Sequence, residues 1–276
     1  MWHNCVAVSS KGLMGRISST FSRLQKDKKK ALIPYLMAGD PSLEITEALV
    51  LEIERAGADI IELGVPFSDP IADGPVIQGA AQRSLDSGTT LKGIFELVKT
   101  LRAQTKVPLV LMCYFNSILA FGKDLFCRIA VEVGVDGVII PDLPVEEGER
   151  FRRIAKAKGI DVILLLAPTS TATRLRKVAK VSQGFLYYVS LTGVTGARLT
   201  QVPDISGKVE EIRNFSRLPV AVGFGVSQAS EASEISKFAD GVIVGSALVK
   251  IIAQAQEKAV VVDAVGDFVR SLRKAM

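Results

Sequence analysis

The chain has 276 residues, 48% of them hydrophobic, and 34 Lys and Arg against 29 Asp and Glu give a net charge of +5. That content supports a packed core in one large α/β domain or two small ones and excludes a low-complexity chain. No apolar run approaches the roughly 20 residues that span a bilayer, so no membrane span is expected.

From the start of the chain, Met1 to Gly12 lacks the basic start and apolar stretch of a secretory signal. Cys5, Cys113 and Cys127 lie far apart without CxxC spacing, which favours reduced cytosolic thiols over a disulfide framework or a zinc site. The single histidine, His3, leaves carboxylates, tyrosines and backbone to carry any chemistry, and no metal site is expected. Much of the positive excess sits in two clusters, 26 to 30 and 150 to 158, and reads as solvated helix faces. No nucleic-acid partner is expected, whereas a phosphorylated small substrate suits the charge.

Ile17, Phe21 and Leu24 have the i, i+4, i+7 spacing of a short amphipathic helix, suited to closing the N-terminal mouth of a barrel. After it come eight β-rich apolar runs: 31 to 37, 59 to 65, 108 to 114, 137 to 141, 161 to 167, 185 to 190, 219 to 223 and 241 to 245. Helical periodicity separates them, as in Ser42 to Ala56, Leu91 to Leu101 and Glu146 to Ala157, with Gly57 and Gly159 as stops. The join between helix and strand repeats in Gly57-Ala58-Asp59, Val133-Gly134-Val135-Asp136 and Phe238-Ala239-Asp240-Gly241. No Pro/Gly/Ser linker divides the chain. The predicted fold is α/β, a single-domain (β/α)₈ TIM barrel over 14–276 with a disordered extension at 1–13 and the short helix closing the bottom.

In the second strand, Ile60, Glu62 and Gly64 share one face, and Ile61, Leu63 and Val65 share the other. A carboxylate on a buried face must be paired, protonated or aimed at a ligand. Asp73 arrives from the following Pro- and Asp-rich loop and supplies a second carboxylate, so the two read as acid/base machinery. The competing readings are a structural ion pair for Glu62 and an Asx turn before Gly74 for Asp73.

Active sites in such barrels lie at the C-terminal ends of strands, with phosphate commonly held by the loops after strands seven and eight. Gly223-Phe224-Gly225 and Gly245-Ser246-Ala247 supply those loops, the second opening the helix Leu248 to Ala255. Each glycine pair alone reads equally as a tight turn. After strand six, the segment from Leu191 shows little apolar periodicity until Val209, and this suits a lid, with Thr195 and Gly196 over substrate, or a plain loop. Met14-Gly15-Arg16-Ile17-Ser18-Ser19 formally matches a weak myristoylation pattern for which the fold has no need.

On these residues the chain resembles the α subunit of tryptophan synthase. The motifs are 33-IPYLMAGDP-41, 62-ELGVPFSDP-70 with 72-ADGP-75, 141-PDLP-144, 193-GVTG-196 and 223-GFG-225, in one order from about Arg16 onward. The resemblance implies cleavage of indole-3-glycerol phosphate to indole and glyceraldehyde 3-phosphate, a retro-aldol reaction without metal or organic cofactor, in the cytoplasm. It makes Glu62 the general acid/base and Asp73 the acceptor from the indole N–H. Tyr35 then lies in the indole pocket and Tyr187 near the reacting centre, with a plain core aromatic as the lesser reading of each. Thr195 remains on the lid, and Gly196, Gly225, Gly245 and Ser246 become the phosphate cradle. The resemblance also implies an αββα complex that passes indole to a β subunit, met through Asp69 and Asn116. Residues 1 to 13 extend beyond the family's usual start, and Met14 is read as an alternative initiation point.

Overall fold

The computed structural model describes residues 15–189, 202–223, 225–254 and 257–276, with backbone alone for 202 and 203. In the first half the order is α1 (Arg16–Lys26), β1 (Ala31–Met37), α2 (Leu43–Arg55), β2 (Ile61–Gly64), α3 (Pro75–Asp86), α4 (Leu91–Arg102), β3 (Leu109–Met112), α5 (Phe115–Phe121), α6 (Lys123–Val133) and β4 (Gly137–Ile139). The second half runs α7 (Glu149–Lys158), β5 (Asp161–Leu166), α8 (Ala172–Val181), β6 (Leu186–Val189), α9 (Val202–Arg213), β7 (Val220–Gly223), α10 (Ala229–Ser236), β8 (Gly241–Val244), α11 (Ser246–Gln254) and α12 (Lys258–Ala275). All strands pair parallel to their neighbours, and β8 returns to β1 to close the cylinder. Among the described residues no helix is long and apolar enough to cross a membrane.

The alternation of faces divides the core into two layers. Ile33, Ile60, Val110, Ile139, Ile163, Phe185, Ala221 and Ile243 point inward and pack together within the cylinder. Leu32, Ile61, Leu63, Leu109, Leu111, Val138, Val220 and Val242 point outward against the helices. Ile17, Phe21 and Leu24 of α1 join the inner layer, so this helix plugs the end where the strands begin.

The glycine that stops each helix sets up the next strand. Gly57, Gly134 and Gly159 have φ of 107°, 97° and 86°, a left-handed conformation that favours glycine. At all three the following N–H returns to the helix, as Val135 N donates to the Ala130 carbonyl at 2.8 Å. Two residues after Gly57 and Gly134, and two after Phe238 at the join to β8, comes an aspartate whose carboxylate accepts the N–H of the preceding strand. Leu32 N donates to Asp59 at 3.0 Å, Leu109 N to Asp136 at 2.8 Å, and across β7 and β8 Val220 N to Asp240 at 3.0 Å. An arginine also reaches each aspartate: Arg102 and Arg213, from the helix before that strand, reach Asp136 and Asp240, and Arg273 of α12 reaches Asp59. The same rim therefore carries a repeated clamp joining strand, helix and next strand.

Four boundaries differ from the sequence reading. The run Glu146 to Ala157 becomes a helix only from Glu149, because Pro144 and Gly148 hold a turn before it, with Gly148 N donating to the Pro144 carbonyl at 3.1 Å. Strand β3 ends at Met112, and Tyr114, expected within it, is the extended residue that caps α5. The last helix of the phosphate region begins at Ser246 rather than Leu248. Helix α9 starts at Val202, several residues before the apolar periodicity resumes at Val209.

Candidate active site

Glu62 of β2 lies two residues beyond Ile60, on the same inward face, and is 1% exposed. Neither carboxylate oxygen has a hydrogen-bond partner among the described residues. Burial pushes its carboxyl up to about 8, and the negative charge of Asp73 adds to the rise. At neutral pH the group is therefore a protonated acid, and among the described residues no cation forms an ion pair with it.

Asp73 reaches the same end of the cylinder from the loop after β2. Gly74 is the extended cap of α3 and Pro75 its first residue, so the chain turns sharply into the helix. Gln78, one turn into α3, donates to the Asp73 carbonyl at 2.8 Å and fixes the main chain. The Asp73 side chain accepts from the Tyr114 hydroxyl at 3.1 Å. Burial raises its carboxyl to about 6, and the Tyr114 bond opposes that rise. Near neutrality the two carboxyls thus occupy different protonation states: Asp73 is mainly ionised and Glu62 mainly protonated.

Tyr35 pairs in register with Glu62 on the neighbouring strand and is 5% exposed. Its phenol is raised by burial and by both carboxylates. Glycine at 64 is what admits this ring, since a Cβ there would lie 2.2 Å from the Tyr35 hydroxyl. Tyr187 of β6 approaches Gly223 in the same way, at 2.9 Å from a Cβ built there, and its phenol too is raised by burial, Glu62 and Asp73. Tyr35 and Met37 continue into an apolar patch with Ala80 and Ala81 of α3 and Val249 of α11. The mouth thus offers a flat apolar wall beside two carboxyls.

Across the mouth, β7 and β8 end at Gly223 and Val244, and α11 begins at Ser246 with Gly245 as its cap. Val249 N donates to the Gly245 carbonyl at 3.1 Å, and a Cβ on Gly245 would sit 3.4 Å from the Tyr35 ring. Gly225 has φ of 54° with no atom within 4 Å of a Cβ built on it, so its glycine serves backbone conformation rather than space. A helix N-terminus such as that of α11, beside glycines at the ends of neighbouring strands, is the kind of backbone that takes anions.

The structure therefore brings Glu62, Asp73, Tyr35 and Tyr187 together and sets Gly225, Gly245 and Ser246 at the adjoining strand ends. Thr195, Gly196 and most of the candidate lid lie outside the described residues, as does Phe224. Asp69, in the loop that follows β2, and Asn116, in α5, are exposed. Tyr114 escaped the sequence reading, although it stands two residues past a strand end, where barrel enzymes place functional groups. Among the described residues no group of three or more His, Cys, Asp or Glu is placed to hold a metal ion.

The family model of the tryptophan synthase alpha chain matches residues 21–276. The chain belongs to that family. A tryptophan synthase alpha chain of Geotalea uraniireducens is 53% identical over 238 residues, covering 86% of this chain and 89% of that protein. One from Citrifermentans bemidjiense is 49% identical, covering 95% of this chain and 98% of that protein. Among solved structures, tryptophan synthase subunit alpha from Legionella pneumophila superposes with a TM-score of 0.88 at 38% identity, covering 95% and 98% of the two chains. A chain of the tryptophan synthase complex from Pyrococcus furiosus gives 0.80 at 39% identity, covering 88% and 97%. As a member of the tryptophan synthase alpha family, the protein is a lyase of tryptophan biosynthesis, and its α reaction cleaves indole-3-glycerol phosphate to indole and glyceraldehyde 3-phosphate.

Proposed function

We propose that Glu62 and Asp73 divide the α reaction between them. Indole leaves as a carbanion equivalent only with difficulty, so its ring carbon must be protonated before the bond to the glycerol chain breaks. Glu62, neutral at pH 7 and without a hydrogen-bond partner, supplies that proton to the ring carbon. Its carboxylate then takes the proton of the glycerol hydroxyl as that carbon becomes the aldehyde. The electrons of the broken bond return to the indole ring, and protons balance over the cycle. Asp73, ionised, accepts the indole N–H and stabilises the positive charge that ring protonation creates.

Tyr35 and Tyr187 flank the ring, and Gly225, Gly245 and Ser246 hold the phosphate with the α11 amides; Thr195 and Gly196 complete the cover. The observation that carries this reading is the buried Glu62 carboxyl with both oxygens unpartnered beside a second carboxylate. Steady-state production of indole tests it: Glu62→Gln and Asp73→Asn each lose turnover by several orders of magnitude while retaining the fold. Normal turnover in a folded Glu62→Gln protein removes Glu62 as the acid. Since Asp73 must be ionised and Glu62 protonated, activity follows a bell between about pH 6 and about pH 8.

The partner is a tryptophan synthase β subunit in an αββα assembly that receives the indole, and the cytoplasm is the compartment that suits both. The contact surface is the rim of Asp69, Asn116, Ile71 (87% exposed) and Leu119 (44% exposed), an apolar patch with polar neighbours beside the mouth.

A further inference from the structure

Tyr114 is not one of the side chains that line the reacting centre in the reading above, yet it is buried and held by several contacts. The Phe115 N–H that follows it donates to Asp142 at 2.9 Å, which fixes its backbone. Its ring stacks on Phe67 with centroids 5.0 Å apart and planes 21° from parallel. Its hydroxyl accepts the Ala72 N–H at 2.9 Å. With one lone pair so engaged, the phenol proton is directed at the Asp73 carboxylate 3.1 Å away.

We propose that Tyr114 is a positioning residue for the α reaction, its hydroxyl gripping the 72–73 loop by the Ala72 N–H and fixing the direction of the Asp73 carboxylate that receives the indole N–H. The inference rests on the role given to Asp73. Three constraints meet there: Gln78 holds the main chain, Tyr114 holds one carboxylate oxygen, and the other oxygen is left for the ring. The same bond favours ionised Asp73, because a phenol donates best to the anion. The other groups that share charge with Asp73 are Glu62 of β2, Tyr35 of β1 and Tyr187 of β6, while Asp142, after β4, faces Tyr114. None of these can replace the bond: Tyr35, Tyr187 and Tyr114 all have phenols raised by burial, but among the described residues only Tyr114 donates to Asp73.

The test is the pH profile of kcat/KM for indole-3-glycerol phosphate in the full-length protein. Tyr114→Phe keeps the ring stack and removes the grip, so kcat falls at every pH as the carboxylate loses its direction, the acid limb moves up by about one pH unit, and KM changes less than about twofold. Replacement of Tyr114 by 3-fluorotyrosine, a stronger donor of the same shape, moves the limb the other way and decides the matter even where Tyr114→Phe folds poorly. Asp73→Asn loses turnover, and adding Tyr114→Phe to it changes nothing further. An acid limb that stays in place in both Tyr114 proteins, or a Tyr114→Phe protein whose kcat is unchanged at its optimum pH, overturns the positioning role. Normal turnover in Asp73→Asn instead overturns the role of Asp73 itself.

Discussion

Replacing Glu62 with glutamine should stabilise the protein increasingly as the pH rises, even as it abolishes turnover. The folded carboxyl titrates at about 8 against an ordinary value of 4.5. Between those values the folded chain keeps a proton that the unfolded chain has released, so wild-type stability falls as the pH rises through that window. With one proton at stake, the slope approaches about 1.4 kcal/mol per pH unit. Integrating between the two values, the penalty grows from about 1 kcal/mol at pH 5 to about 5 kcal/mol at pH 9. Glutamine has no proton to lose, so the stability of Glu62→Gln relative to wild type should climb by about 4 kcal/mol across that range. Its unpartnered amide adds only a constant offset. Urea unfolding at half-unit pH steps with a common buffer series measures this directly. A difference that stays flat from pH 5 to pH 9 would refute the reasoning, because it would mean that Glu62 is ionised in the folded protein and that the acid of the reaction lies elsewhere.

Removing a clamp should show the opposite division. Asp136→Ala leaves Arg102 and the Leu109 N–H facing a buried gap and should cost about 3 kcal/mol in urea unfolding, with kcat unchanged in the folded fraction. Gly64→Ala places a methyl 2.2 Å from the Tyr35 hydroxyl and must move that ring; kcat/KM for indole-3-glycerol phosphate should fall about tenfold to a hundredfold, and an unchanged value would exclude Tyr35 from the substrate pocket. Titration with a β subunit should raise α turnover, and Ile71→Asp should weaken that binding about tenfold to a hundredfold by calorimetry.

The eight strands were legible because each is short, rich in branched residues and bounded by helical periodicity, and the inward position of Glu62 followed from alternation alone. The repeat of glycine, apolar residue and aspartate was visible as rhythm. Its meaning was not, because the partners of Asp59, Asp136 and Asp240 are backbone N–H groups about 20 to 27 positions earlier and arginines as far as 214 positions away. The helix ends misread at Glu149 and Val202 turn on local capping and tertiary packing, which outweigh weak periodicity. Tyr114 was missed for a related reason. It reads as the last apolar residue of a strand, and only the fold shows that β3 stops at Met112 and lets the ring swing across to the loop carrying Asp73. Placing the carboxyls needed only the period of a strand; placing the group that steers one of them needed the crossing of two loops.

Asp59 is gripped by Arg23 from the first described helix and by Arg273 from the last, and the second of these contacts spans 214 positions. During synthesis, residue 59 leaves the ribosome long before residue 273 exists, so the earliest strands must wait with this carboxylate only partly matched. The seam between β1 and β8 needs the last strand to be made, so until β8 arrives the sheet stands open with two bare edges rather than as a finished cylinder.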